Sequence, residues 1–285
     1  MKTVKTLSLL SILTIGILFM GCSEENTLEP TPSSGLSASS DAAESVAGAL
    51  GERSGGVMDY VGDIVALSSP LGLSKSTADF VDSREASYDE MTGTWTVILQ
   101  RQRGTEDELP YGIWDRLFTY QFINEAGEPQ MFFITQGDTA RSIKFEILEG
   151  DGYFANERLS HDLTFIEASL TATDTHTDMV TVNGTYKRAA IDTITTERFT
   201  RISDHTLELN IVDLKGPKGS RRDLSQKVSG TVNGTFHADV TFDGERGYAE
   251  REINRTIEIV IGSGEADIKV AGETFNSDVE NGTLN

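Results

Sequence analysis

Between Val228 and Phe242 hydrophobic and polar residues alternate without a break. Val228, Gly230, Val232, Gly234, Phe236, Ala238, Val240 and Phe242 fall on one side; Ser229, Thr231, Asn233, Thr235, His237, Asp239 and Thr241 fall on the other. A period of two belongs to an antiparallel strand with one wet face. Asn-Gly commonly forms a hairpin turn, but here the alternation runs straight through Asn233-Gly234, and Asp243-Gly244 supplies the turn. Fully extended, the segment would span about 50 Å. That is too long to stay flat, so its inward glycines are expected where the sheet curls.

Upstream the period changes. Asp41 is placed to cap a helix over Ala42–Leu50, and a second helical stretch covers Val57–Leu67, with Gly51, Gly55 and Gly56 between them. Gly48 and Gly62 each weaken a helix by about 1 kcal/mol relative to Ala, so both helices need packing partners. Residues 113–123 place Trp114, Phe118, Tyr120 and Phe122 on one face and Ile113, Leu117 and Ile123 on the other, while Met131-Phe-Phe-Ile134 is apolar throughout. Strands apolar on both faces are covered on both faces. The helical segment is the expected cover, packed on the outside of this half of the sheet. From about Met91 onward every segment reads as strand, turn or bulge. The expected fold is mainly β: a curved antiparallel up-and-down meander of about eleven strands over residues 91–285, as a half-barrel or a closed barrel. An N-terminal helical segment, residues 41–90, packs on it.

The C-terminal half repeats itself. Arg158-Leu-Ser-His161, Arg201-Ile-Ser-Asp-His205 and Arg251-Glu-Ile-Asn-Arg255 each open a strand, and each unit continues to a second one through Val182-Asn-Gly184, Val232-Asn-Gly234 and Val270-Ala-Gly272. The spacing suits a unit of two to four strands. His161, His205 and Arg255 occupy equivalent positions ahead of an inward apolar series. They are the candidate ligand-binding residues, a ring at one end of the concave surface suited to an anionic headgroup. The alternative is a set of strand-end residues paired with nearby acids.

Lys2 and Lys5 precede an uncharged apolar stretch over residues 7–20. As a helix this rises about 21 Å, short of a hydrocarbon core of roughly 30 Å, so a signal peptide over residues 1–21 fits better than a span. Leu18, Gly21 and Cys22 follow, and the junction resembles the lipobox of bacterial lipoproteins, with Phe19 where that family usually has Leu and Met20 bulkier than usual. The resemblance implies cleavage before Cys22, lipidation of Cys22 with palmitate-like chains, and attachment to a membrane through two or three of them. An ordinary secretory leader with a chance cysteine is the alternative. Cys22 is the only cysteine, so no internal disulfide can form. Ser23-Glu24-Glu25 lacks the Asp that retains some lipoproteins at the inner membrane and looks like an export signal. An outer membrane lipoprotein, periplasm-facing or surface-exposed, is therefore expected. Residues 22–40, rich in Ser, Thr and Pro, read as the lipidated end and a flexible tether.

The chain carries 24 Lys and Arg against 45 Asp and Glu, a net charge of −21. Such a field repels nucleic acid and anionic headgroups, so nucleic acid is excluded as a partner and a protein or lipid partner is left. Lys215, Lys218, Arg221 and Arg222 form a basic island, read as a solvated loop or a contact for lipid phosphates. Ser160-His161-Asp162 cannot act as a catalytic triad, because neighbouring strand residues point to opposite faces. No nucleophile elbow, zinc-protease helix, Walker loop or dinucleotide fingerprint is present. Asp174, His176 and Asp178 sit in a polar turn, and Glu149, Asp151, Asp243 and Glu245 lack calcium-loop spacing. No catalytic residue, metal or cofactor is expected.

Three functions remain. The first is a non-enzymatic envelope lipoprotein with a binding or structural role. The second is a carrier or sensor of a hydrophobic ligand. A helix followed by a curved sheet is similar in outline to the lipoprotein carriers of the Lol system, although that family's helices between strands have no counterpart here. The third is a glycan hydrolase using paired carboxylates. An open apolar trough would favour the carrier, and a filled interior the first reading.

Overall fold

The computed structural model describes residues 37–70, 72–73, 81–218, 224–245 and 247–285. The leader, Cys22 and most of the tether lie outside the described residues, as do Arg221 and Arg222. Two helices, α1 (Ala38–Leu50) and α2 (Val57–Leu67), precede the strands. These are β1 (Val81–Asp89), β2 (Thr94–Arg103), β3 (Tyr111–Ile123), β4 (Pro129–Gln130), β5 (Ile134–Thr135), β6 (Asp138–Thr139), β7 (Ser142–Ala155), β8 (Leu159–Thr173) and β9 (Met179–Thr195). They continue with β10 (Phe199–Pro217), β11 (Ser229–Gly244), β12 (Gly247–Gly262), β13 (Glu265–Val270), β14 (Glu273–Asp278) and β15 (Thr283–Leu284).

Thirteen strands form one antiparallel sheet whose spatial order follows the chain from β1 to β15, with β4 beside β3 and with β5 and β6 in a separate hairpin. The meander is open: β1 and β15 do not pair, so the closed barrel is not formed. The sheet also begins earlier than the pattern predicts. Val81–Asp89 (VDSREASYD) is an edge strand exposed on both faces, and it carries no alternation to betray it.

Along β11 the inward set is buried and the outward set exposed, as the alternation requires. Asn233-Gly234 lies within the strand, and the turn follows Asp243, with Gly244 opposite Gly247. A β-carbon on Gly234 would come within 1.9 Å of the Glu208 carbonyl oxygen on β10, so only glycine allows the two strands this approach. Bulges reset the pattern elsewhere. Register shifts fall at Leu117/Phe118 between β3 and β7, at Leu163/Phe165 between β8 and β9, and between Val212 and Lys215 on β10. Each moves the buried set from one parity to the other on the bulged strand.

The helices occupy the inner face of the sheet, not its outside. Every residue of α2 is buried, and α1 leaves only Ser40 and Glu44 partly accessible. A helix buried on all sides must be surrounded, and the curl of the long strands supplies the surround. α1 starts three residues before Asp41, capped by Ser37, whose hydroxyl accepts from the Ser40 amide. Asp41 is thereby freed for another role. Small side chains on α1 (Ala38, Ala42, Ala43, Ala47, Ala49) bring it close to β11–β15. The linker between the helices is tied to the chain end through the Glu52 amide on Val279 O and the Arg53 amide on Glu280 O, at 2.9 and 2.8 Å. Both helices and the inward residues of the strands make one continuous core.

Candidate functional site

The inner face is not uniformly apolar. Strand parity fixes which charges enter it: Arg101 shares a face with Val97 and Leu99 on β2, and Arg116 with Trp114 and Phe118 on β3. On β9, Tyr186, Arg188, Ala190 and Asp192 point inward together, and on β10 so do Arg201, Ser203 and His205. These residues form a polar seam beneath the helices.

At one end the seam holds α2. Asp59 and Asp63, one turn apart on α2, receive two buried guanidinium groups. Arg101 reaches Asp59 at 2.9 Å, Asp63 at 3.0 Å and Asp82 of β1 at 2.9 Å. Arg116 reaches Asp59 at 2.5 Å and Asp63 at 3.4 Å, and its guanidinium lies 4.3 Å from the centre of the Tyr60 ring. Burial alone would lower the Arg101 pKa, but Asp59, Asp63 and Asp82 more than offset it and hold the group firmly charged. Burial pushes the Tyr60 hydroxyl far up, with Arg116 opposing.

At the other end the seam holds α1, using the leading arginines of the sequence repeat. Arg201 pairs with both Asp41 and Glu44 (2.6 Å to Glu44), Arg251 pairs with Asp41, and Arg158 pairs with Glu44 at 3.2 Å. The three leading arginines, one just ahead of β8 and the others on β10 and β12, thus converge on two carboxylates in the first turns of one helix. The repeat is read as a set of strand openings in the sequence; its arginines are helix clamps in the fold.

Between the clamps, Asp192 faces His161 on β8 and Ser203 on β10 directly across the ladder. His161 Nδ1 hydrogen-bonds one Asp192 oxygen, and His205 Nδ1 lies 3.6 Å from the other. The two imidazole centres are 6.2 Å apart, and an Arg188 Nη2 lies 3.5 Å from His161 Nδ1. His161, His205, Asp192 and Arg188 are 2, 1, 4 and 0 % exposed. Burial, reinforced by Arg188 and opposed by Asp192, lowers the His161 pKa. Burial takes His205 down to about 4 against the opposing pull of Asp192. Burial would raise Asp192, but His161, His205 and Arg188 hold it below the usual carboxylate range. The cluster is therefore one carboxylate, one guanidinium and two neutral imidazoles at pH 7.

The expected ring of His161, His205 and Arg255 is only partly realised. The two histidines meet, but inside the molecule and on a shared carboxylate, not around an open mouth. Arg255 stays apart, donating to the Asn254 carbonyl at 2.8 Å. β11 lies between Arg255 and His205, with Phe236 opposite Arg255, and the third repeat unit is shorter: Ala271 and Gly272, with φ of 51° and 86°, form a turn after the six-residue β13, where Gly184 and Gly234 of the other units lie within strands. Ser160 and Asp162 flank His161 without sharing its face, and its carboxylate comes from Asp192, 31 residues away. An aspartate on an imidazole Nδ1 is half of a hydrolase relay, yet this pair is sealed beneath the helices. Asp174 to Asp178 form a turn, and among the described residues no three His, Cys, Asp or Glu side chains are arranged so that they could hold a metal ion.

The outer face differs. A shallow concavity of about 480 Å³ lies there, lined by Thr206, Glu208, Thr235, Phe236, His237, Asn254, Arg255 and Thr256. Beside it, Asp204, Asp239 and Glu252 stand directly opposite one another on three neighbouring strands. No protein-family model matches the chain, and no curated protein or solved structure does.

Proposed function

We propose that the chain is a cell-envelope lipoprotein, tethered through acyl chains on Cys22, whose sheet domain has a non-enzymatic binding or structural role at the outer membrane. The observation that carries the domain's part of this reading is the filled interior: α1 and α2 occupy the inner face that a carrier would need open for its ligand. The concavity on the outer face is shallow, and apart from Phe236 the residues that line it are polar, a poor match for burying an acyl chain. The outward face is the surface left for a partner. There the ladder between β7 and β8 opens between Ile147↔Ala168 and Gly152↔Leu163, and Leu148, Tyr153 and Phe165 stand exposed around the opening, with Ile98 on β2 exposed on the same face. A cluster of accessible apolar side chains on an otherwise polar sheet marks a contact surface.

The tether is tested by expressing the chain and its Cys22→Ser variant in a bacterial host with labelled palmitate. The wild type is expected in the membrane fraction, labelled and requiring detergent. The variant is expected to be unlabelled and released. An unlabelled wild type, or a variant that still requires detergent, overturns the reading.

A further inference from the structure

We propose that the His161–Asp192–His205–Arg188 cluster is an acid-operated release for the two enclosed helices. Its position makes the link. On β9, Tyr186 packs on Tyr60 of α2 with ring centres 5.7 Å apart, Arg188 and Asp192 follow on the same face, and the next inward residue, Ile194, pairs across the ladder with Arg201, which clamps α1. The histidines thus sit on the short stretch of sheet between the docking points of α1 and α2.

Charge balance supplies the force. At neutral pH, Arg188 and Asp192 cancel and both imidazoles are uncharged. Two added protons would place three positive charges around one carboxylate in a site without solvent to screen them. No other carboxylate contacting the imidazoles is free to answer. From α1, Asp41 and Glu44 are held by Arg158, Arg201 and Arg251; from α2, Asp59 and Asp63 are held by Arg101 and Arg116. Asp162 on β8 favours a proton on His161, but from the opposite face and less than Asp192 does, Asp204 on β10 also points to that face, and β11 places the ring of Phe236 5.4 Å from His205. The Nε2 atoms of both histidines have no partner among the described residues, so a proton added there gains no acceptor. The strain falls on the packing between seam and helices, while the strand ladders are held by backbone hydrogen bonds, which do not titrate.

The test follows amide hydrogen exchange of the full chain in detergent from pH 7 to pH 3.5, corrected for intrinsic rates, with imidazole signals tracked by NMR. Protection over 38–67 is expected to fall between pH 6 and 4 while β9–β12 stay protected, with neither buried imidazole titrating near its ordinary value. In the His161→Gln/His205→Gln variant the loss should move down by about one pH unit, and His237→Gln, an exposed histidine, should leave it in place. The proposal is overturned if helices and strands lose protection together, if either buried imidazole titrates near pH 6.5 with the helices still protected, or if the double variant follows the wild-type curve. Should the double variant not fold, the wild-type exchange and imidazole titrations decide the matter alone.

Discussion

α1 and α2 lie inside the same sheet but are held there by different means. α1 presents alanines to the β11–β15 half of the inner face, where Val232, Phe236, Ala238, Ile257, Ile259, Ile268 and Val270 are aliphatic or aromatic. Its charged contacts are confined to Asp41 and Glu44 at one end. α2 faces the half that carries Arg101 and Arg116, and it commits two aspartates, a turn apart, to buried arginines along its middle. Close packing of small side chains fixes distance, whereas buried carboxylate–guanidinium pairs fix register, because removing one partner strands the other without solvent. Along its length α1 is therefore positioned by shape, with charge only at its first turns, and α2 is positioned by charge along its middle.

Breaking that contrast should be most costly at α2. Asp59→Ala leaves Arg101 and Arg116 short of acceptors in a dry site, and a loss of about 3–5 kcal/mol is expected in urea unfolding. Acid should come next. His205 binds its proton at about 4 when folded and near 6.5 when unfolded, so between those values the unfolded chain holds more protons and stability rises with pH. Acidification from pH 6.5 to 4 should remove about 3 kcal/mol through this group, with His161 adding in the same direction. Asp192, held low, contributes stability that is lost only as the pH falls below the ordinary carboxylate value toward its own. Thermal melts across pH 3–8 measure the sum. Arg201→Met should cost less, about 2 kcal/mol, because Arg251 and Arg158 still serve Asp41 and Glu44.

The smallest effect sharpens the comparison from outside. Asp239 stands between Asp204 and Glu252 on the exposed face, so Asp239→Lys replaces two like-charge contacts with opposite ones. A rise in melting temperature of roughly 1–2 °C is expected, shrinking in high salt.

Much of this was legible in the chain, and what was not has physical causes. The helices at Val57–Leu67 and close to Ala42–Leu50, and the alternation at 228–242, are visible because buried faces enforce periodicity. β1 escaped because an edge strand wet on both faces has no such pattern. The site of the helices was misplaced because residues 113–123 look apolar on both faces, whereas Ile113 and Leu117 are only partly covered. The seam left a trace that composition hides: Asp59 and Asp63 share a face of an otherwise apolar helix, and Arg101 and Arg116 continue the inward parity of apolar strands. Asp192 left none, since its partners arrive from separate strands through a register that bulges reset.

The sheet encloses its own helices, and among the described residues they fill its inner face. Native mass spectrometry of the purified full chain is the decisive measurement. A single mass is expected, that of the chain with its covalent modifications alone. A species carrying a stoichiometric, non-covalently bound lipid would contradict it.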